Sequence, residues 1–495
     1  MSKIGDKVKK MVINWLDIQP APIQTVTLLE RIPFELKVIE NQIWYRGDAT
    51  ELDQFYKQTQ NSIVTSARFW SATTSASTRK IHTGLPSMIV DSLAYLVKTD
   101  IDKVKFKDKN GEEKWNAICK NKHFDFADIV GAGIVGALTS GDGAWKISVD
   151  KDVCDVPIVE FYSADRVEYE IKYGIICGID FITDVPYKRK VLKLKEKYRA
   201  GYVSYELYDN DILLDEQKLE EITGLYNASY EKKGKFTMAV PLKIYNNPKY
   251  KNRGKSIFED KLDDFDAFDE IVSQWLQAYR MGRAQKYIPD NLIPRNKFDG
   301  TLKPHNPFDN EYVSVDEAMN EMGVKESQIQ VVQPEIRYEA FLEGYKYYLD
   351  LCLQGIISPA TLGIDLGKMS SADAQREKKD VTGVTRNTIT ERLERVLPDL
   401  ICAILNTYDI MQNHAVEDYE PEVSFGEYGA PDFDSRVETV GKAAASNTMS
   451  IETQVRELWG SSKDDDWIKK EVQRIKNERG IETVDEPKVG EDFDI

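Results

Sequence analysis

Residues 256–283 read SIFEDKLDDFDAFDEIVSQWLQAYRMGR, the longest uninterrupted helical pattern in the chain. Ser256 and Glu259 stand at S-x-x-E spacing, which predicts a capping box with each side chain answering an orphan N–H at the helix start. Apolar residues then recur at three- and four-residue steps: Phe258, Leu262, Phe265, Phe268, Val272, Trp275, Leu276 and Tyr279. Arg280 and Arg283 fall where the helix dipole favours cations, and Pro289 lies just beyond. At about 1.5 Å per residue this rod would be on the order of 40 Å long, more than an ordinary globular helix.

Its other face is acidic. Between Glu259 and Glu270 there are seven carboxylates against one lysine. Glu259, Asp263, Asp266 and Glu270 form a stripe that Ser273, Gln274 and Gln277 continue. Such a stripe is either a solvated face or a wall that repels a polyanion, and the residues alone do not choose.

Working outward, residues 287–334 change character. Pro289, Pro294, Pro304 and Pro307 break the chain, and Arg295, Lys297, Lys303 and His305 cluster among them. Short strands are expected at Val313–Val315 and Gln328–Val332, around a small helix near Asp316–Met322. A second long helix follows from Glu335 to Gly355, with Ile336, Ala340, Phe341, Tyr345, Tyr348, Leu349 and Cys352 in register. Two rods flanking a compact insert imply an antiparallel pair with a small domain at its tip. Ser358-Pro359 ends the second rod, and residues 360–370 (ATLGIDLGKMS) form a loop. Ser370-x-x-Asp373 opens a third long helix to about Met411, in which Pro398 should produce a kink. Three short helices are expected at Phe433–Ala445, Ile451–Trp459 and Asp464–Arg479, before an acidic tail with few apolar residues.

Upstream, the period from Trp145 to Tyr245 is mostly two. Strands are expected at Ile158–Tyr162, Val167–Ile171, Ile175–Ile182, Lys190–Leu194, Tyr202–Tyr208 and Met238–Ile244, with turns marked by glycines and by Asp209-Asn210-Asp211. Thr25 to Lys57 reads as helix around a Gly47-Asp48 break. Residues 1–18 carry a short amphipathic pattern with four lysines opposite it, read as a terminal helix docking on a neighbouring subunit rather than on a membrane.

Composition restricts the function. A chain of 495 residues exceeds the size at which one core keeps growing, so two or more domains are expected. A net charge of −17 excludes coating nucleic acid by attraction, which needs clustered Lys and Arg. The five cysteines are scattered without metal-ligand spacing, as in a reducing compartment. No secretory signal is visible, and the longest apolar run, Ile129–Leu138, is too short to span a bilayer.

Two nucleotide-binding motifs are approached and missed. Gly131-Ala-Gly-Ile-Val-Gly136 has the dinucleotide spacing, but a turn and a strand follow where a helix is required. Its glycines are read as allowing close packing of a helix. Gly254-Lys255-Ser256 ends like a P-loop, yet Lys249 stands where the first glycine belongs. The competing class is therefore a nucleotide-hydrolysing DNA-packaging motor or a nuclease, with weak motif support. A pore or adaptor ring of a contractile injection device is a third.

Several stretches in order carry a resemblance: Trp145-Lys146 after the Gly141-Asp-Gly143 turn, and Val240-Pro-Leu-Lys-Ile-Tyr-Asn-Asn247 leading through Gly254-Lys255-Ser256 into the first rod. With them stand Gly355-Ile-Ile-Ser-Pro359, Ser370-Ser-Ala-Asp-Ala374, Asp434-Ser-Arg436 and Met449-Ser-Ile-Glu-Thr453. Over nearly its whole length the chain resembles the portal proteins of tailed bacteriophages, of the long-tailed, Gram-positive-host type. The resemblance implies an α+β portal fold assembled as a ring, commonly a dodecamer. It implies N-terminal helices and a β-rich wing over 1–255, stem helices over 256–285 and 335–357, and a clip over 286–334. It further implies a tunnel loop over 358–370, a kinked wing helix over 371–429, a crown over 430–480 and an acidic tail over 481–495.

The same resemblance implies a non-enzymatic channel for double-stranded DNA at one vertex of the virion capsid, assembled in the host cytoplasm. Expected partners are the large terminase, a head–tail adaptor, and the major capsid and scaffolding proteins, with no membrane, cofactor, metal or catalytic residue. Glu259, Asp263, Asp266 and Glu270 would form the acidic channel face. Thr361, Asp365, Lys368 and Met369 would lie in the tunnel loop, and Arg295, Lys297 and Lys303 would make the basic contacts of the clip.

Overall fold

The computed structural model describes residues 32–59, 68–71, 79–210, 212–229, 236–282, 285–289, 312–315, 330–333, 335–364, 372–426, 433–446, 448–460 and 465–478. The chain divides into a unit of Met1–Phe425 and a second of Gly426–Ile495. The first mixes helices with largely antiparallel sheets and so is α+β; the second, as described, is helical.

The first unit begins with α1 (Phe34–Arg46) and α2 (Ala49–Gln58). Gly47 sits at φ 74°, which stops α1, and the Asp48 carboxylate accepts from Thr50 N to start α2. The Gly47-Asp48 break is thus a real helix boundary. Next come α3 (Leu85–Thr99), β1 (Lys105–Phe106), α4 (Lys109–Cys119) and α5 (Phe126–Ser140). The G-x-G-x-x-G run lies inside α5, where its glycines serve packing. A Cβ on Gly133 would lie 2.2 Å from the Trp145 ring, and one on Gly136 would lie 2.3 Å from Phe161.

Those two rings belong to β2 (Asp142–Ser148) and β3 (Ile158–Ser163), which join β10 (Ala239–Lys243) in a three-stranded sheet ordered β10-β2-β3. The β-rich insert is a larger sheet, in order β4 (Val167–Lys172), β5 (Ile175–Tyr187), β6 (Lys190–Arg199), β7 (Tyr202–Asp209) and β8 (Ile212–Leu213), with β9 (Ala228–Ser229) also on β7. Every pairing in it is antiparallel; β4 to β7 start where the period-two runs start, but β5 and β6 each extend five residues past the expected ends. The short helix α6 (Glu216–Thr223) is not legible as a helix because it offers only two apolar residues, Leu219 and Ile222, to a second small core with Leu192, Leu194 and Leu207.

Two rods follow, α7 (Leu262–Met281) and α8 (Tyr338–Leu353). Between them β11 (Gln285–Pro289) pairs with β12 (Tyr312–Val315) in parallel and with β13 (Gln330–Val332) antiparallel. The strands expected near 313–315 and 328–332 are present; the helix near 316–322 lies outside the described residues. The longest helix, α9 (Ala372–Met411), is continuous through Pro398. It buries Leu393, Leu397, Leu400 and Ile404 in the main core, which also holds Leu93, Ile134, Leu138 and Trp145. The chain then returns through β14 (Pro421–Glu422), paired with β1.

The second unit contains α10 (Phe433–Ala445), α11 (Ile451–Trp459) and α12 (Asp465–Glu478). The Ser450 hydroxyl accepts from Thr453 N at 3.2 Å, the N-cap read from the sequence. Val455, Ile468 and Val472 form its core, with Trp459 edge-on to Trp467.

One local expectation fails. The first rod does not start at a Ser256–Glu259 capping box. Ser256 is buried and its hydroxyl donates to the Leu138 carbonyl at 2.8 Å, while residues Glu259–Lys261 make a 3₁₀ turn before α7 begins. A tertiary acceptor takes the hydroxyl that local spacing assigned to the helix end. The second rod likewise starts at Tyr338, three residues later than expected, because residues 335–337 leave β13 in an irregular turn.

All five cysteines carry free thiols. Among the described residues no helix is long and apolar enough to cross a membrane.

Candidate functional site

The paired rods set the geometry of the candidate site. Lys261 Nζ donates to the Leu351 carbonyl at 2.7 Å, near the start of α7 and the end of α8. Further along, Phe268 meets Tyr345 with centroids 5.1 Å apart, and Trp275 stacks on Phe341 at 6.1 Å with planes 6° apart. At the far end a Cβ on Gly282 would lie 2.4 Å from the Ile336 side chain, so a larger residue there would displace it. Contacts that run up one helix and down the other define an antiparallel pair. Aromatic pairs of this kind add about 0.5–1.5 kcal/mol each beyond the area they bury. Tyr279, Tyr338 and Tyr347 stay about 60% exposed on the outside of the pair.

The acidic residues of the first rod do not share one environment. Asp263 is the most exposed, its side chain 84% accessible, and it pairs with Arg68 Nη2 at 2.8 Å. Glu270 is half-buried and accepts from Gln274 Nε2 at 2.7 Å, one turn along. Glu259 lies in the 3₁₀ turn before the helix, where burial pushes its carboxyl up and Asn247 Nδ2 donates to it at 3.4 Å. Asp266 is 7% exposed and faces the protein. Its two oxygens accept from Phe69 N at 2.7 Å and Trp70 N at 3.2 Å. Burial pushes its carboxyl up to about 6, against the pull of those two N–H groups and of Arg68.

The reading of Glu259, Asp263, Asp266 and Glu270 as one open wall is therefore corrected. Asp266 cannot belong to an exposed face, because it holds the 69–70 backbone, and Glu259 is not on the α7 helix.

Asp269, which the stripe omitted, is the centre of the arrangement. It is fully buried and accepts from Thr83 N at 3.0 Å, Thr83 Oγ1 at 2.9 Å and Trp70 Nε1 at 3.2 Å. His82 Nδ1 stands 2.7 Å from it, and His82 Nε2 stands 3.2 Å from the Trp44 carbonyl. One turn on, Ser273 Oγ accepts from Ile81 N at 2.9 Å. Asp266, Asp269 and Ser273 thus form a row of acceptors that fastens residues 69–70 and 81–83 along α7. Without it the backbone N–H groups of those irregular segments would be buried unpaired, at about 1–3 kcal/mol each. Behind the row, Glu40 accepts from Tyr56 Oη at 2.6 Å and from Lys37 Nζ at 2.7 Å. Burial opposes its ionisation, but Lys37 and Arg68 together hold its carboxyl below the usual range.

A second node joins the rod to the three-stranded sheet. Asp142 Oδ2 accepts from Gly254 N at 2.5 Å and Asp142 Oδ1 pairs with Arg253 at 3.0 Å. Gly141 and Gly254 cross so closely that a Cβ on Gly254 would lie 2.0 Å from the Gly141 carbonyl oxygen. Lys255 pairs with Asp260. In this structure the Gly254-Lys255-Ser256 stretch makes a packing seam, with Gly254 N, Lys255 Nζ and Ser256 Oγ bonded to the protein itself. Among the described residues no group of His, Cys, Asp and Glu is placed to hold a metal ion.

Of the loop residues, Thr361 is described: its hydroxyl is 3.1 Å from that of Thr382 on α9, which also accepts from Ser358 N at 2.9 Å. Thr385 Oγ1 donates to the Ile356 carbonyl at 2.7 Å, so α9 fixes the turn after the second rod. Asp365, Lys368 and Met369, and likewise Arg295, Lys297 and Lys303, lie outside the described residues. Asp269, Asp142 and Arg253 escaped the sequence reading because their partners are more than 80 positions away. Asp269 stood one step off the stripe, and that offset was the one available signal.

No protein-family model matches the chain, and no curated protein matches it. Among solved structures it is similar to a chain of the virion of a native gene transfer agent particle, at 12% identity and a TM-score of 0.41 over 92% of this chain and 99% of that one. It is also similar to chains from the neck of the empty particle computed with C6 symmetry (14% identity, TM-score 0.39) and of the native particle computed with C12 symmetry (13% identity, TM-score 0.39). Each of these two comparisons covers 76% of this chain and 89% of the other.

Proposed function

We propose that this chain is the subunit of a portal, a ring-shaped channel at one vertex of a tailed-phage capsid through which double-stranded DNA is packaged and ejected. One observation carries the reading: an antiparallel pair of long helices, α7 and α8, joined through a small sheet and standing on a mixed α/β body. We read these elements as the stem, clip and wing that the sequence resemblance implies. The ring would be a dodecamer and would present its outer surfaces to a large terminase, a head–tail adaptor, and capsid and scaffolding proteins.

The channel acts as a passive conduit. Each phosphate paired to Lys or Arg adds binding free energy that DNA movement must break. Repeating exposed carboxylates around a closed, low-dielectric bore concentrates a repelling field. Of the four stripe carboxylates, Asp263 and Glu270 are the ones available for that role.

Electron microscopy of the purified protein tests the reading directly: rings with a central hole are expected. Strictly monomeric protein under every assembly condition would overturn it, as would hydrolysis of nucleoside triphosphate by the isolated chain, which belongs to a motor. In a packaging assay the Asp263→Lys and Glu270→Lys pair should slow DNA translocation several-fold, and unchanged rates would remove the repelling wall.

A further inference from the structure

At the outer end of the six-stranded sheet, the β5–β6 turn and α6 enclose an open hollow of about 570 Å3. We infer that it is a docking site for an acidic peptide segment of a partner protein that carries a bulky apolar side chain. The inference is independent of the channel reading and goes beyond it.

The hollow has an apolar floor and a cationic rim. Leu192, Leu214 and Ile222 form the floor and belong to, or pack on, the small core beneath α6. Such a floor suits one aliphatic or aromatic side chain, the usual anchor of a peptide in a groove. The rim carries Lys188, Arg189, Lys190 and Lys218 against Asp209 and Glu221.

Charge pairs are denser across the middle of the open sheet face than at this rim. Across the open face, Lys195 pairs with Glu168 and Asp180, Lys197 with Glu206, and Arg199 with Glu170 and Asp180. At the rim, Lys190 pairs with Asp209 at 2.6 Å. The Lys188 ammonium lies over the Tyr187 ring, 4.8 Å from its centroid. Among the described residues neither Arg189 nor Lys218 has a carboxylate within ion-pair distance. Unneutralised cations around an apolar floor, on a chain of net charge −17, select an acidic ligand with an apolar anchor. DNA fits less well. A phosphate backbone makes no use of the apolar floor, and Asp209 and Glu221 would face it with like charge.

Fluorescence anisotropy of the full chain with a labelled synthetic peptide, Asp-Glu-Leu-Phe-Glu-Asp, tests the site. Saturable binding is expected, weakening at least about tenfold in the Arg189→Glu/Lys218→Glu variant. A comparable loss is expected when the peptide's Leu and Phe are replaced by Ser. Ile222→Trp, which fills the hollow and leaves the rim charges in place, should also abolish binding, and an unchanged melting temperature in each variant shows that the fold is kept. Absence of saturable binding would overturn the inference, and so would binding retained by the charge-reversed variant. Preferential binding of a labelled 20-base-pair duplex through the same rim, or a change in self-association as the only effect of the charge reversal, would also overturn it.

Discussion

The first rod and the six-stranded sheet are both rich in carboxylates, yet they use them in opposite ways. On α7, Asp266 and Asp269 point into the protein and are satisfied by the backbone N–H groups of two irregular segments, by a tryptophan and by a histidine. On the open sheet face, Glu206 answers a lysine on the neighbouring strand, while Glu168 and Glu170 on β4 reach past β5 to a lysine and an arginine on β6; all three stay near solvent. The first arrangement is low-dielectric, directional and long-range in sequence. The second is screened and local. The same residue type is a structural fastener in one place and a solubilising surface in the other, and the magnitudes differ accordingly.

The largest contrast should come from Asp269→Ala. It leaves the Thr83 N–H, the Trp70 indole N–H and His82 without their acceptor. A loss of about 3–5 kcal/mol in unfolding free energy is expected by denaturant titration. A loss below about 1 kcal/mol would erase the distinction between the two regions.

Next is a paired substitution on one helix. Asp266→Lys places a cation against the buried Phe69 and Trp70 amides and should cost about 3 kcal/mol or more, whereas Asp263→Lys, at a side chain 84% accessible, should cost at most about 1 kcal/mol. Equal effects would mean that both carboxylates are solvated.

The comparison sharpens further with pH. Because Asp266 has its folded value pushed from 3.8 up to about 6, the folded state favours its protonated form. That contribution is fully present below about pH 4 and is lost as pH rises through about 6. At about 1.4 kcal/mol per pH unit between the two values, it amounts to at most about 3 kcal/mol. Asp266→Asn should lack this slope when unfolding free energies of the two proteins are subtracted across pH 4–7. A flat difference would show a carboxylate without a burial penalty.

The smallest effect belongs to the sheet. Lys197→Ala removes one cross-strand pair with Glu206 and should cost less than about 1 kcal/mol, shrinking further in high salt. A larger, salt-insensitive loss would place that face among the buried networks.

Much of the fold was legible in advance because periodicity is a local property. The alternation that gives β3 to β7, the three-and-four spacing of both rods, the Ser450 cap and the Gly47 break all follow from side chains within a few positions of one another. The Gly131-x-Gly133-x-x-Gly136 run read correctly as helix packing because no strand–helix frame surrounds it. Helices α3 and α4 were not read from the sequence, and the small helix α6 and strand β11 were missed because each is too short to build a period of its own.

The candidate site was legible only in part, for the same reason turned round. Sequence by itself determined that α7 would be a long amphipathic rod with an acidic side, and that a second rod would return beside it. Tertiary structure alone decided which of those acids meet water. A carboxylate's neighbours in the fold, Phe69, Trp70 and His82 for Asp266 and Asp269, lie more than 180 residues away. Their positions depend on how the whole core closes, and no local spacing encodes whether a charge ends against solvent or against a buried amide.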